Sequence, residues 1–143
     1  FEIYLFSNNH KDLYSMNKNK ILIIDDDADL LASTKLFLES KNYEVETAIN
    51  SKIGLGVIKT FQPDLIILDI MMDTQLEGFN FLNELKSVDA FKEIPVIMST
   101  GMAKSIGVNM RSSIEEVDSL PKTKFFDKSG DWEELLEAIK ELL

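Results

Sequence analysis

The sequence contains no cysteine, one histidine, one tryptophan and three prolines in 143 residues. Without cysteine there are no disulfides, no thiolate nucleophile and no cysteine-ligated zinc, a composition compatible with a reducing compartment. Positive charge is also short: 15 Lys and Arg stand against 25 Asp and Glu, for a formal net charge of -10. Such a balance disfavours nonspecific attraction to nucleic acid or to an anionic membrane, and directs the search toward protein partners and cations. No apolar run approaches the roughly 20 residues that span a bilayer. The chain is therefore expected to be soluble and cytoplasmic, with no nucleic-acid or membrane partner. Its length suits one domain with a substantial core.

The opening "FEIYLFSNNHKDLYS" has neither a positively charged start nor a small-residue cleavage site, so it does not read as a secretory signal. Residues 1–15 are read as an added leader or disordered extension ahead of a natural start at Met16, and 16–143 as the domain. The lone histidine, His10, falls in this leader and is read as an incidental residue rather than a ligand or base.

Past Met16, short apolar runs alternate with amphipathic stretches, with no internal repeat and no low-complexity tract. The runs are KILIID (20–25), YEVETA (43–48), DLIILD (64–69), IPVIMST (94–100) and KFFDK (124–128), which predict five strands. Three are continuously apolar, as strands covered on both faces are. Helical stripes fall at Leu30, Leu31, Thr34, Phe37 and Leu38, at Val57, Ile58 and Phe61, and at Phe79, Leu82 and Leu85. The last helix carries Trp132, Leu135, Leu136, Ile139, Leu142 and Leu143 on its apolar face, with Asp131 and Glu134 placed as a capping box. A further helix is expected around 108–119. The alternation predicts an open, doubly wound α/β domain with a five-stranded parallel sheet and helices on both faces.

In such sheets the ligand sits beyond the carboxyl ends of the strands. Asp25 and Asp26 end the first predicted strand, Asp69 the third, Ser99 and Thr100 the fourth, and Lys128 the fifth. Crowded carboxylates repel one another and are comfortable only with a cation among them. A hard, oxygen-seeking ion such as Mg²⁺ suits them, since it keeps waters for a phosphoryl oxygen. With the metal in place, one carboxylate could act as a nucleophile toward phosphorus, and a lysine and a hydroxyl could take the remaining phosphoryl oxygens. Singly, each residue has a plainer reading. Asp25 to Asp27 could cap the next helix, Asp69 could be a loop carboxylate, Thr100 a turn hydroxyl and Lys128 a solvated charge. The ordered set on successive strand ends favours the site.

That ordered set resembles the receiver domain of two-component response regulators, the CheY-like superfamily, over nearly all of residues 18–143. ILIIDDD is similar to the family's first-strand acidic pair, DLIILDIMM to its phosphoacceptor strand and PVIMSTG to its hydroxyl strand, with Lys128 at the lysine position. The resemblance implies a flavodoxin-like sheet of order 2-1-3-4-5, Asp69 as phosphoacceptor, and Mg²⁺ held by Asp25, Asp26, Asp69 and the backbone carbonyl of Met71. It implies further that Thr100 and Lys128 hold the phosphoryl group and that Phe125 is the switch aromatic. The implied partners are a sensor histidine kinase or phosphotransfer protein upstream and a protein target downstream. The implied state is a monomer or weak dimer, and the implied role is a self-phosphorylating acceptor rather than a turnover enzyme. Met71 and Met102, two beyond the acceptor and two beyond the hydroxyl, stand where the family often has polar side chains that orient water, which implies slow autodephosphorylation. The chain departs from the family in having KSG where Lys-Pro is usual, and in a longer span between Thr100 and Lys128.

Three other readings compete. IIDDDAD contains the Asp-x-Asp of haloacid-dehalogenase-type phosphatases, with Asp25 as nucleophile and Asp27 as acid, but this leaves Asp69 without a role. DDDAD as an EF-hand calcium loop lacks the glycine and follows a strand. A receiver-like binding module that is never phosphorylated would not need the complete acid, hydroxyl and lysine set.

Overall fold

The computed structural model describes residues 18–72, 77–101, 115–116 and 119–143. The leader assigned to 1–15 and His10 within it, the Met102 position and most of the helix expected at 108–119 lie outside the described residues. Among the described residues the elements are β1 (Lys20–Ile24), α1 (Ala28–Ser40), β2 (Glu44–Ala48), α2 (Ser51–Phe61), β3 (Leu65–Asp69), α3 (Glu77–Ser87), β4 (Val96–Thr100), β5 (Thr123–Asp127) and α4 (Trp132–Leu142). The five strands form one parallel sheet of order β2-β1-β3-β4-β5, the order expected.

The sheet's central strands are buried on both faces, which explains their unbroken apolar composition. Every residue of β3 and β4 is buried, and β1 is buried after its first residue. Alternation splits them between two cores. On one face Leu22, Ile24, Ile66, Leu68 and Met98 pack with Ile58, Phe79, Phe81, Leu82 and Leu85 from α2 and α3. On the other, Ile21, Ile23, Leu65, Ile67 and Ile97 pack with Leu31 and Leu38 of α1 and Leu135, Leu136 and Ile139 of α4.

Helix starts are set by caps. Asp27 Oδ1 accepts the Leu30 N–H (3.1 Å), Asn50 Oδ1 accepts the Ile53 N–H (2.8 Å) and Asp131 Oδ1 accepts the Glu134 N–H (2.9 Å). Each satisfies an amide that the first turn leaves unpaired. Because β1, β3, β4 and β5 run parallel and in register, their carboxyl ends finish side by side. Asp69 pairs in register with Ser99, and Thr100 with Asp127.

Candidate site at the carboxyl edge of the sheet

Asp25 follows β1 directly, and its N–H donates to the Ala48 carbonyl (3.0 Å), so the ladder with β2 fixes its backbone. Its side chain is buried, 3% exposed, as is that of Asp69 at the end of β3, 4% exposed. Asp26, one residue on, is exposed. Oxygens of Asp25, Asp26 and Asp69 lie within 4.8 Å of one another, a grouping able to hold a metal ion.

Lys128 enters from beyond β5. Its Nζ lies 2.6 Å from Asp25 Oδ2 and 3.4 Å from Asp69 Oδ2. Its backbone N–H donates to the Thr100 carbonyl (2.9 Å), which extends the β4–β5 ladder by one bond. The remaining carboxylate oxygens take backbone amides: Asp25 Oδ1 accepts from Asp27 N–H (2.9 Å) and Asp69 Oδ1 from Met71 N–H (3.2 Å). Among the described residues no buried side-chain nitrogen or oxygen lacks a partner.

Among the described residues the charges are unbalanced, because three grouped carboxylates stand beside one ammonium. Burial, and then the neighbouring charge of Asp25, push the Asp69 carboxyl up to about 6, while Lys128 and the Met71 amide pull it back. Burial alone would lower the Lys128 ammonium. The hydrogen bond and charge of Asp25, followed by the charge of Asp69, outweigh it and hold the group above its ordinary value, so Lys128 stays charged. Such a site can accept a hard cation among its oxygens and can present an Asp69 oxygen beside a fixed ammonium.

Of the other expected residues, Thr100 sits at the same edge and Phe125 midway along β5. Thr100 is buried at the end of β4. Phe125, paired in register with Met98, is partly buried against the core that contains Met98. By alternation Thr100 lies on the face of Met98 too, so Thr100 and Phe125 share one side of the sheet. Asp27 points away from the group: it is exposed and caps α1, so it cannot act beside Asp25 as a phosphatase acid. The plainer capping role thus belongs to Asp27, while Asp25 and Asp26 join Asp69. The Lys128–Ser129 peptide is trans, as are all described peptides.

Two features are absent from the reading of the sequence. Gly78, second residue of α3, packs on the strand end that carries Asp69. A methyl group there would lie 2.5 Å from Ile70 Cα and still closer to the Asp69 carbonyl oxygen, and the Gly78 N–H donates to the Ile70 carbonyl (3.0 Å). Ser51 Oγ donates to Glu77 Oε1 (2.9 Å), tying the start of α2 to the start of α3. An isolated glycine at the head of the apolar stripe was the one available signal for the first; the second had none. A cleft of about 140 Å³ also adjoins the site between α1 and α4, with Asp25 and Lys128 in a wall otherwise formed by residues such as Leu31, Ile67, Trp132 and Leu135.

Fold and site together define a doubly wound α/β domain with an acidic cluster and a fixed lysine at the carboxyl edge. The model of the response regulator receiver domain matches residues 21–140, and the chain belongs to that family. It is 32% identical over 124 residues to the DNA-binding dual master transcriptional regulator RpaA of Synechocystis, a match covering 87% of this chain and 48% of that protein. It is likewise 32% identical over 127 residues to a CpxR homologue of Haemophilus influenzae, covering 87% of this chain and 50% of that protein. The chain thus spans about half the length of these relatives. Among solved structures it resembles the chemotaxis protein CheY4 of Vibrio cholerae (TM-score 0.74, 25% identity, 88% of this chain and 99% of that one). It also resembles the receiver domain of a DNA-binding response regulator from Colwellia psychrerythraea (TM-score 0.73, 28% identity, 87% of this chain and 98% of that one). The flavodoxin-like fold and the response-regulator family are as the sequence implied, and neither the phosphatase reading nor that of a receiver-like module that is never phosphorylated is favoured.

Proposed function

We propose that this receiver domain accepts a phosphoryl group on Asp69 and thereby switches the surface it presents to a protein partner. One observation carries the reading: buried Asp25 and Asp69 meet Lys128 at 2.6 and 3.4 Å, beside exposed Asp26, where three strand ends converge. The donor set suits Mg²⁺, being all oxygen and rich in negative charge, with Asp69 pushed up to about 6 by burial first and by the charge of Asp25 second. Asp25, Asp26, Asp69 and the Met71 carbonyl would hold the ion. When bound it supplies positive charge for the oxygens of the incoming phosphoryl group.

In the chemistry that follows, an ionised Asp69 oxygen attacks the phosphorus of a phosphohistidine on a sensor histidine kinase or phosphotransfer protein. The P–N bond breaks, its electron pair returns to the imidazole, which takes up a proton, and an aspartyl phosphate forms. Lys128, already within 3.4 Å of Asp69, transfers its hydrogen bonding to a phosphoryl oxygen. The Thr100 hydroxyl takes another. Phe125 follows Thr100 on the same face, and the surface around β5 and α4 shifts between two populations that a downstream protein distinguishes.

The domain is an acceptor rather than a turnover enzyme, and Met71 and Met102 make its loss of phosphate slow. It works in the cytoplasm, as a monomer or weak dimer, through residues 16–143. The test is to incubate the protein with phosphoramidate and Mg²⁺, reduce with borohydride and map the peptides. Conversion of Asp69 to homoserine supports the reading; reduction at Asp25 or Asp26 instead, or nowhere, contradicts it.

A further inference from the structure

The turn that carries Lys128 is built by the residue before it. Asp127, last residue of β5, accepts two hydrogen bonds at one side-chain oxygen: Oδ1 lies 2.9 Å from the Ser129 amide and 2.8 Å from its hydroxyl. Its carbonyl accepts the Gly130 N–H at 2.9 Å, which closes the chain around Lys128 and Ser129. On the strand side, the Lys128 N–H is bound to Thr100. Lys128 therefore stands between a ladder bond and a closed turn, and its backbone has little freedom. A lysine stem has four rotatable carbons, so its ammonium is placed reproducibly only if the root of the stem is fixed.

Gly130 belongs to the same device. A Cβ there would meet the end of the Glu134 side chain, which can swing aside, and would lie 3.0 Å from the Asp127 carbonyl, so a larger residue requires the turn to give slightly. Asp131 follows at once as the α4 cap. The path from β5 to α4 is thus four residues long, Lys128 to Asp131, and Asp127 supplies two of the acceptors that hold it.

We propose that Asp127 is the positioning residue for Lys128: its side chain locks the turn that aims the ammonium between Asp25 and Asp69. Asp127 stands outside the group of Asp25, Asp26 and Asp69. The inference deepens the phosphoryl-transfer reading, on which the second measurement below rests; the first is independent of it.

Both measurements compare the full chain with Asp127→Ala, which removes the acceptor, and Asp127→Asn, which keeps an acceptor oxygen without the charge. The first is trace acetylation of lysines with acetic anhydride, read peptide by peptide. Wild-type Lys128 should label more slowly than exposed Lys41, rise severalfold in Asp127→Ala and stay near wild type in Asp127→Asn, while the other lysines do not change. The second is the rate of phosphoryl gain at saturating phosphoramidate and Mg²⁺, expected to fall roughly tenfold in Asp127→Ala and to recover in Asp127→Asn. Urea unfolding establishes that each variant is folded. If Lys128 labels alike in all three, the positioning role is wrong whatever the transfer rates show. If Asp127→Asn behaves as Asp127→Ala, the role is one of charge and the proposal is also wrong. Should labelling follow the prediction while even wild type gains no phosphoryl group, the positioning claim stands and the acceptor reading falls.

Discussion

The two ends of the sheet treat charge in opposite ways. At the amino edge, Lys20 and Asp64 exchange bonds: the Lys20 amide donates to Asp64 Oδ2 (2.7 Å) and the Asp64 amide to the Lys20 carbonyl (2.8 Å). The Lys20 ammonium reaches the Phe61 carbonyl and ring, Lys86 donates to the Lys92 and Ile94 carbonyls, and Lys122 meets Glu93 at 3.4 Å. Each charge there is answered locally, Asp64, Glu93 and Lys122 at exposed positions and Lys20 and Lys86 at half-buried ones, and the exposed pair contributes the fraction of a kcal/mol usual for surface pairs. At the carboxyl edge, two carboxylates are buried, a third stands beside them, and among the described residues one ammonium, that of Lys128, reaches the two buried ones. Groups placed only for stability would not be left in that imbalance; a site that awaits a cation and a phosphoryl group would. The amino edge settles its charges locally, and the carboxyl edge gathers carboxylates around Lys128.

The sharpest way to break this contrast is Lys128→Ala. It strands two buried carboxylates without their ammonium, and phosphoryl gain should drop by at least about a hundredfold. Stability should fall by about 2 kcal/mol, less than for a fully sealed pair because Asp69 can take up a proton. Steady phosphorylation of this variant would remove Lys128 from the site. Next in size is Gly78→Ala. Its methyl group meets backbone rather than a yielding side chain, so a loss of about 2 to 3 kcal/mol is expected in urea unfolding. A neutral result would show that α3 is free to move off β3.

The third prediction has the opposite sign. Asp69 holds its proton in the folded state up to about pH 6, against 3.8 for the unperturbed group. A folded-state pKa that is raised means that the native form binds more protons between these values, so stability falls as pH rises through that window. Without Mg²⁺, Asp69→Asn should therefore stabilise the protein at pH 7.5, by on the order of 1 kcal/mol after allowance for solvent screening. The gain should fade below about pH 4. Mg²⁺ should stabilise the wild type more than the variant, since an ion that binds only the native state shifts the equilibrium toward it. A destabilised Asp69→Asn at pH 7.5 would mean that its charge is already balanced. The smallest effect belongs to the amino edge: Asp64→Ala should cost about 0.5 to 1 kcal/mol and leave the rate of phosphoryl gain unchanged. A loss of phosphorylation there would erase the distinction between the two edges.

What the sequence disclosed follows the same divide. Strand positions were legible because β3 and β4 are buried on both faces and so read as unbroken apolar runs; the structure moves their starts by one or two residues, β4 beginning at Val96 rather than Ile94. The grouping of carboxylates and lysine at the strand ends was legible because each residue type is costly there without a partner. The start of α2 was less so. Gly54 and Gly56 weaken its helical pattern, and Gly54 is small because Ile24 of β1 fills the space where a side chain would begin. Gly78 against Ile70, Ser51 on Glu77 and the Asp127 turn could not be read, since each depends on an approach between segments that periodicity does not encode. The division of labour within Asp25–Asp27 was likewise decided only by the fold, which turns the first two toward Asp69 and the third onto α1.

The most direct test of the carboxyl edge as a cation and phosphoryl site is the intact mass of the protein after exposure to phosphoramidate, with Mg²⁺ or with EDTA, for wild type and Asp69→Asn. The account predicts a single phosphoryl-sized gain in the wild type with Mg²⁺, and none with EDTA or in the variant. A folded wild type that gains nothing from any small donor, or an equal gain in Asp69→Asn, would contradict it.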